Sequence, residues 1–530
     1  MAQQGGFKKR LGLLDLTFLG LGAIIGSGWL FASRTGATMA GSDAWIAWVL
    51  GAIAVMLIGL VYAELGGALP RAGGIIRYPE YSHGSLLGYV MGFASLLAYS
   101  SVAGIEVEAV RGYATYWAPG LTNASGGPTA SGWVLQLGLL VIFFLLNYWS
   151  VNVFGKVNSV VTAIKFIVPA LALIILLTQF HVHNLSVAGA SPGGFHGVAN
   201  AISTAGIVFA FLGFRQAIDF AGEAKNPQRD VPRAVILSIV IGAIVYILLQ
   251  VAFLGAVPAS SLTNGWANIG CAKSPFADLA KALGMIWLAN ILLVDAVISP
   301  AGTGNIYLSS TSRVVFAWAK NGVFYSIFQK VDPRTGVPRS ALWLTFILSA
   351  VWIMPLHFQA WNGLVGAVTS ATVMTYIFGP VSAAALRRTG AKLHRPFRLP
   401  GMGIIAPLAF VAASCIVYWS GWSIDQLLIG LILGSLILYF AFMDKTPETR
   451  ARLATDWKAG GWVIVYYLFI GVLSRYGTFG GSGAIKAPWD TIIVAVGGLV
   501  CYYWGVASAL PQPRIDSDDV EETVMASVQA

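Results

Sequence analysis

Charged residues are scarce in this 530-residue chain. Asp, Glu, Lys and Arg make up 10% of the sequence, whereas a typical soluble domain has about a quarter. Hydrophobic residues make up 57%. This composition excludes an ordinary soluble protein and indicates a polytopic membrane protein. The net charge of +10 is explained by orientation in a membrane, so we expect membrane lipid and not nucleic acid around this chain.

Cysteine and histidine are also few, which limits the chemistry that the chain can support. Its three cysteines, Cys271, Cys415 and Cys501, lie far apart and give no disulfide framework. The six histidines fall in loops or at the ends of apolar runs, without a spacing typical of metal ligands. We therefore predict no metal site, no cofactor and no enzymatic activity.

Long apolar runs dominate the rest of the sequence, and about fourteen of them are long enough to cross a bilayer. They predict an all-α protein with helices at 13–34, 44–69, 86–117, 133–150, 157–179, 198–221, 234–257, 284–318, 341–358, 361–386, 404–424, 427–443, 461–476 and 488–509. The first run lacks a small-residue cleavage site, so it is not interpreted as a removable signal peptide.

Positive residues indicate the orientation of these helices. Most of the 32 lysines and arginines fall in the two tails and in the connections on one side of the predicted membrane. The connections on the other side contain five: Arg34, Lys273, Lys281, Arg475 and Lys486. Because positive residues concentrate on the cytoplasmic side, both termini are predicted to be cytoplasmic, in an inner or plasma membrane.

Glycines cluster in the first run, where Gly20, Gly22, Gly26 and Gly28 lie within nine positions. Glycine costs helix stability but permits a backbone break and the close approach of a ligand. A broken helix at membrane depth is tolerated only where it lines a cavity. The cluster therefore suggests a binding site for a polar solute near the middle of the bilayer, with tight helix packing through small residues as the alternative.

The sixth run contains the matching irregular segment, from Gly206 to Gln216, followed by Asp219. The first and sixth runs begin two successive groups of five helices. Breaks at corresponding positions of two five-helix halves point to an inverted-repeat transporter, in which the substrate binds at the breaks.

Several short motifs occur in an order and spacing that cover residues 11 to about 440. They are Gly-Ser-Gly at 26–28, Tyr-Ala-Glu-Leu at 62–65, Pro-Arg-Ala-Gly-Gly at 70–74, Phe-Ala-Phe-Leu-Gly-Phe at 209–214, Glu-Ala-Lys-Asn-Pro at 223–227, Ser-Arg at 312–313, Ala-Lys-Asn-Gly at 319–322 and Pro-Phe-Arg-Leu-Pro-Gly at 396–401. Together they resemble the amino acid–polyamine–organocation (APC) permease family. The last two runs lie beyond the twelve helices common in that family.

The resemblance implies a LeuT-type fold of two five-helix inverted repeats, with about 14 transmembrane helices in this chain. The implied segments are a cytoplasmic tail at 1–12, repeats at 13–180 and 198–386, helices 11 and 12 at 404–443, two additional helices at 461–509, and a disordered acidic cytoplasmic tail at 510–530.

The resemblance also implies that the substrate binds between the unwound parts of helices 1 and 6. Backbone amides after Ile25 suit a carboxylate at the positive end of a half-helix, and carbonyls near Phe209 suit an ammonium group. Phe209 occupies the position of an aromatic lid in the family, with plain helix packing as the alternative. The predicted substrate-binding set is Ile25, Gly26, Ser27, Gly28, Phe209, Ala210, Phe211, Gly213 and Arg215.

Ionisable residues inside predicted spans are expensive and therefore mark functional sites. In proton-coupled relatives, a lysine at the position of Lys165 resembles a stand-in for the sodium ion of sodium-coupled cousins. The alternative is a lysine that snorkels to the interface. Glu106 and Asp295 are the acidic candidates for proton coupling, and Ser299 and Thr303 are candidate partners of the ammonium group. Glu64 and Asp219 are predicted to gate or to form ion pairs.

Arg215 replaces an acidic residue that many relatives have at this position. Arginine stays protonated, so it cannot carry the transported proton. Its forked donors suit a carboxylate, which is either internal, such as Asp219, Glu106 or Glu108, or part of an acidic substrate. The stretch Phe-Arg-Gln-Ala-Ile-Asp resembles the aspartate–proton symporter branch. Glu108 and Arg111, three apart, are expected to pair with each other.

We therefore predict a secondary active transporter that takes up an amino acid with protons, with an acidic substrate favoured. A neutral amino acid symporter, an exchanger of the same fold and a non-transporting nutrient sensor are the alternatives. A channel fits less well, because paired broken helices indicate alternating access. The sequence does not fix the oligomeric state.

Overall fold

A computed structural model describes residues 9–149, 151–186, 192–271, 273–355, 359, 361–442 and 447–515. This part of the chain is helical, without a β-strand. Its helices are α1 (Leu13–Ile24), α2 (Ser27–Ala40), α3 (Ala44–Ala68), α4 (Gly74–His83), α5 (Ser85–Ala114), α6 (Ala130–Trp149), α7 (Val151–Thr178), α8 (Gly194–Thr204), α9 (Gln216–Asp219), α10 (Pro227–Ala256), α11 (Pro275–Ala282), α12 (Ile286–Lys320), α13 (Arg339–Trp352), α14 (Trp361–Tyr376), α15 (Phe378–Thr389), α16 (Met402–Trp419), α17 (Trp422–Gly434), α18 (Leu436–Phe442), α19 (Pro447–Gly460), α20 (Trp462–Tyr476) and α21 (Trp489–Ser508).

Membrane-spanning character is clear in these helices. Eleven helical segments of the described chain are long and apolar enough to cross a membrane, or twelve if the bent pair formed by α8 and Phe209–Asp219 counts as one span. The prediction of an all-α polytopic membrane protein is confirmed, whereas the total of fourteen is not. Two predicted spans contain the short apolar helices α1 and α13, of 12 and 14 residues.

Burial separates central helices from peripheral ones. The apolar stretches of α5 and of the α14–α15 segment are almost or completely buried, whereas α6 and α7 expose most of theirs. The long helix α12, which contains Pro300, packs along α5. The two broken helices, α1–α2 and α8–α9, pack against this centre and against each other.

Three helices lie between the apolar runs, and the sequence interpretation did not predict them. They are α4, α11 and α19. Helix α4 packs against α5 and α15, and α19 packs against α5 and α21. Helix α4 therefore connects α5 to α15, and α19 connects α5 to the last helix of the described chain.

The C-terminal helices are attached by buried polar contacts. Asp425 of α17 accepts hydrogen bonds from Ser370 of α14 (3.2 Å) and Ser474 of α20 (2.8 Å). Beyond α21, the amides of Leu510 and Arg514 donate to backbone carbonyls of α4. The stretch 510–515 therefore differs from the disordered tail predicted there, while 516–530 and 1–8 lie outside the described residues.

Candidate functional site

The first helix is broken where its glycines predict a break. Helix α1 ends at Ile24 and α2 begins at Ser27, and Ile25 and Gly26 between them have extended or irregular backbone angles. Side chains of other helices satisfy the freed carbonyls: Thr303 Oγ1 donates to Gly22 O (2.9 Å) and Ile25 O (3.2 Å). Tyr246 donates to Ile24 O (2.8 Å). The break is therefore held open by α10 and α12.

Lys165 takes part in the same arrangement. The side chain is completely buried in α7, so the alternative of snorkelling to the interface is wrong. Lys165 Nζ donates to Gly22 O (2.7 Å) and to Thr303 Oγ1 (2.8 Å). An ammonium group thus holds a carbonyl of the helix 1 break, as the sequence interpretation expected. Ser299 instead donates to Asp295 (2.9 and 3.0 Å).

An internal carboxylate lies at the start of α2. The amide of Ser27 donates to Glu106 Oε2 (3.0 Å), and Ser27 Oγ accepts from Trp361 Nε1 (2.7 Å). Glu106 is completely buried, and its other oxygen, Oε1, has no hydrogen-bond partner among the described residues. A carboxylate of the chain itself therefore lies on the first amide of α2, where the sequence predicts that the substrate's carboxylate binds.

The glycines of the break permit close contacts. A Cβ on Gly26 would lie 2.8 Å from both Glu106 Oε1 and Thr303 Oγ1, and one on Gly28 would lie 2.9 Å from Ala210 Cβ. A Cβ on Gly213 would lie 2.4 Å from the backbone between Ala23 and Ile24. The broken helix formed by α8 and α9 (helix 6) lies directly on the break between α1 and α2 (helix 1). The glycines therefore serve both the break and the close packing.

Helix 6, formed by α8, the segment Phe209–Arg215 and α9, breaks at the start of the irregular stretch predicted from Gly206 to Gln216. Helix α8 ends at Thr204, Gly206 has φ +93°, and a 3₁₀ segment runs over Phe209–Arg215 before α9. This left-handed backbone angle requires glycine at position 206. The amide of Ala210 donates back to Gly206 O (3.0 Å). The substrate-binding residues predicted on this helix, from Phe209 to Arg215, therefore lie just after the break, in the 3₁₀ segment.

Aromatic side chains of the segment Phe209–Arg215 pack against two separate groups of rings. The ring of Phe209 meets that of Trp361 edge-on at 6.0 Å. Phe211 is separated from them, since its ring packs against Trp48 (5.8 Å) and Tyr246 (5.5 Å). The sequence interpretation missed Trp361, because one tryptophan at the start of an apolar run resembles the other 17.

Arg215 is completely buried at the end of the 3₁₀ segment. Its Nη1 is ion-paired with Asp219, and its guanidinium group lies 3.1 Å from the centroid of the Tyr99 ring and 5.1 Å from that of Tyr307. Within the described chain, Arg215 Nε and Nη2 and Asp219 Oδ1 have no hydrogen-bond partner. One edge of the guanidinium fork is therefore free.

Glu64 and Arg387 form a bidentate ion pair, in which both donors of one guanidinium edge are used. Arg387 donates through Nε to Glu64 Oε1 (2.8 Å) and through Nη2 to Oε2 (2.5 Å). The amide of Leu399 also donates to Glu64 Oε2 (2.7 Å). Glu64 is thus a buried, fully paired carboxylate away from the breaks.

The expected pair between Glu108 and Arg111 is not formed. Arg111 donates instead to Thr122 Oγ1 (2.7 Å) and to the carbonyls of Gly126 (3.1 Å) and Gln359 (2.8 Å). Three loop acceptors outcompete one carboxylate, and both oxygens of Glu108 have no partner in the described part of the chain.

No group of three or more His, Cys, Asp or Glu side chains that could hold a metal ion occurs among the described residues. The charges of the site instead face each other across the break of helix 1. Lys165 interacts electrostatically with Glu106 and Asp295. The arrangement can hold a zwitterion and exchange protons.

Comparison with known proteins agrees with this geometry. The sequence profile described as amino acid permease matches residues 11–443. The chain is 48% identical to the aspartate-proton symporter of Bacillus subtilis, over 98% of this chain and 100% of the relative. It is 40% identical to the glutamate/serine transporter AimA of the same organism, over 94% of each chain.

A more distant relative is the branched-chain amino acid permease BcaP of Bacillus subtilis, which is 28% identical over 83% of this chain and 94% of its own length. These relatives are transporters and not enzymes. Their family has the LeuT-type fold that the paired broken helices predict. The chain belongs to the amino acid permease family.

Proposed function

We propose that this protein takes up an acidic amino acid together with protons, across a cell membrane, with both termini in the cytoplasm. The observation that carries the proposal is the free edge of Arg215, a buried guanidinium fork beside the broken helices. The names of two relatives, an aspartate-proton symporter and a glutamate/serine transporter, support an acidic substrate.

The substrate's α-carboxylate binds at the break of helix 1, on the amides of Ser27 and Gly28 that follow Ile25 and Gly26, since the Gly26 amide itself donates to Ile24 O (2.9 Å). A 14-residue helix begins there, so its positive end favours an anion. The α-ammonium binds to carbonyls at the break of helix 6. Phe209 covers the substrate, and the Trp361 ring supports the Phe209 ring. Ala210 and Gly213 allow helix 6 to lie close to the break of helix 1. Because Phe211 packs elsewhere, its part in the site is limited to its backbone.

Arg215 binds the second carboxylate of the substrate through Nε and Nη2. These two donors form the edge that Arg387 uses to hold Glu64, so this chain already contains a bidentate pair of that kind. Asp219 bonds Nη1, on another edge of the same plane. An internal ion pair and a substrate contact are therefore compatible, and Asp219 orients the fork.

The spacing of two side chains along α5 is consistent with a dicarboxylic substrate. Glu106, on the Ser27 amide, and Tyr99, against the Arg215 guanidinium, are seven residues apart and therefore lie on the same face of this helix, about two turns from each other. The Ser27 amide and the Arg215 fork thus approach the same face of α5, and a substrate with two carboxylates can offer one to each, whereas a neutral amino acid has no second carboxylate.

Proton coupling is proposed for the group formed by Lys165, Glu106 and Asp295. The Lys165 ammonium holds Gly22 O at the break, in the place where a sodium ion would serve in sodium-coupled cousins. The same ammonium group interacts electrostatically with Glu106 and Asp295, so a proton bound or released by either carboxylate changes the charge balance at the break. Glu64 and Asp219 are proposed to stabilise the closed cytoplasmic side. The repeats are proposed at 13–180 and 198–386.

Substitution of Arg215 by lysine tests the substrate. Lysine keeps the charge but loses the planar fork, so Arg215→Lys should weaken competition by aspartate and glutamate on the order of a hundredfold. Competition by serine should change much less. The measurement is inhibition of labelled amino acid uptake by proteoliposomes. Arg387→Lys, at the fork already filled by Glu64, is the matched control and should leave the aspartate-to-serine ratio unchanged.

A neutral amino acid is the second candidate substrate, because one relative's name includes serine. If aspartate and glutamate fail to compete for uptake by the unmutated protein, the acidic-substrate proposal is wrong. Arg215 would then be only an internal counter-ion of Asp219.

A further inference from the structure

We infer that Glu106 and the substrate's α-carboxylate compete for the amide of Ser27, and that protonation of Glu106 releases this amide to the substrate. The inference rests on the proposed uptake of an amino acid with protons. It specifies where proton and substrate meet, and it makes Glu106 an internal substitute for the substrate's carboxylate.

Two independent observations place Glu106 on the substrate position. Its Oε2 accepts the Ser27 amide at 3.0 Å, at the first residue of α2. Its Oε1 has no partner among the described residues and lies beside Gly26, where an added Cβ would approach it to 2.8 Å. A completely buried carboxylate oxygen without a donor is costly. Glu106 is therefore held at this position by Ser27 and by the charge of a neighbour.

That neighbour is Lys165 of α7. The other titratable groups that face Glu106 electrostatically are the phenols of Tyr246 on α10 and Tyr307 on α12, and both are neutral at physiological pH. Lys165 is also close enough to interact with Asp295. One ammonium group thus balances the carboxylates at this break, with no second cation of the described chain beside Glu106.

A substrate carboxylate adds a further negative charge at the same amide. Two carboxylates that share one buried site do not both stay ionised, and a proton taken up by one of them removes the repulsion. The substrate's α-carboxylate stays ionised, because its own ammonium group and the helix end stabilise it. The proton therefore goes to Glu106.

The resulting cycle balances. A proton from outside binds the Glu106 carboxylate, and the hydrogen bond donated by the Ser27 amide shifts from Glu106 Oε2 to the substrate's carboxylate. When the substrate leaves towards the cytoplasm, Glu106 releases the proton on that side. Its carboxylate then accepts the hydrogen bond of the Ser27 amide again. One proton accompanies each substrate, and Lys165 keeps its bonds to Gly22 and Thr303 while the substrate is bound.

Glu106→Gln is the direct test, because glutamine keeps the shape and an acceptor oxygen but cannot be protonated in this range. Binding of labelled L-aspartate to the purified protein is measured from about pH 5 to 8. Affinity of the unmutated protein should rise towards low pH, by up to about tenfold per unit, since one proton is taken up. In Glu106→Gln the affinity should not vary with pH. Exchange of internal for external aspartate should persist, and accumulation driven by a pH gradient should be lost.

Glu108→Gln is the matched control, since it makes the same change two residues further along α5. It should keep the pH dependence of the unmutated protein. Should Glu106→Gln retain that pH dependence and gradient-driven accumulation, the inference is overturned. If the unmutated protein binds neither aspartate nor glutamate, the proposed function fails instead.

A second measurement needs no variant. Addition of aspartate to the unmutated protein in weak buffer near pH 7 should take up protons from solution, as read by a pH indicator dye. Aspartate binding without proton uptake at any pH between about 5 and 8 would also overturn the inference.

Discussion

Gly26 lies where three helices meet at the break. Glu106 of α5 and Thr303 of α12 approach it so closely that a Cβ would lie 2.8 Å from an oxygen atom of each. Ordinary contacts between non-bonded heavy atoms are about 3.5–4.0 Å. Neither neighbour can withdraw freely, because Thr303 bonds Gly22 O and Glu106 bonds the Ser27 amide. The smallest residue is therefore needed for the geometry of the site.

Gly26→Val should abolish substrate binding and uptake while the protein still folds, because the branched side chain displaces Glu106 and Thr303 from the break. Gly138→Val on α6 is the control, since a Cβ at Gly138 meets nothing within 4 Å. Uptake by proteoliposomes and elution on size exclusion are the two measurements. Uptake by Gly26→Val at the rate of the control would contradict the site.

At the scale of elements, helix α4 joins the first repeat to the end of the chain through His83. This side chain is completely buried, its Nε2 is 2.8 Å from Gly505 O, and its Nδ1 is 2.8 Å from Ser82 Oγ. A carbonyl can only accept, so Nε2 carries a proton. Burial lowers the pKa of His83 from its ordinary value of 6.5 to about 4.

The protein should therefore lose stability as the pH falls from about 6.5 to about 4, because the unfolded chain protonates His83 and the folded one does not. The loss approaches on the order of 3 kcal/mol once the pH falls below about 4. His83→Gln should show a smaller decrease in melting temperature between pH 7 and 4.5, and the exposed His181→Gln should not. Equal pH dependence in all three proteins would refute this role for His83.

The two broken helices show how far sequence reasoning reaches. Gly26 and Gly28 predicted the first break at the correct residues, because a cluster of glycines inside an apolar run is itself a strong signal. The second break lies at Gly206, the first residue of the predicted irregular stretch, whereas the 3₁₀ helix that follows over Phe209–Arg215 has no signal of its own in the sequence.

Partners across helices were harder to predict than breaks. Thr303 was expected to contact Lys165 and does so, whereas Arg111 bonds loop acceptors that no helical spacing reveals. The hydrogen bond of Ser27 to Glu106 depends on how two distant helices pack. Helices α4, α11 and α19 are too short or too polar to cross a membrane, so a pattern of long apolar runs does not reveal them.

At the scale of the whole molecule, the chain just before α1 is hydrogen-bonded to the chain that follows α9, and these contacts close this end of the protein. The amides of Arg10 and Leu11 donate to Glu223 O (2.7 and 2.9 Å), and Lys225 donates its amide to Leu11 O (2.8 Å). The Glu223 side chain is ion-paired with Arg313 (2.5 Å). Release of a substrate on this side requires these bonds to open, as alternating access demands.

The most direct test of the account is uptake of labelled L-aspartate by proteoliposomes in sodium-free buffer, with a pH gradient of about one unit, acid outside. Aspartate with one proton is electroneutral, so the gradient alone should sustain accumulation of up to about tenfold. Lys165→Ala should reach equilibrium without accumulation, because Glu106 then lacks its balancing charge. A strict requirement for sodium, or aspartate uptake that ignores the pH gradient, would contradict the account.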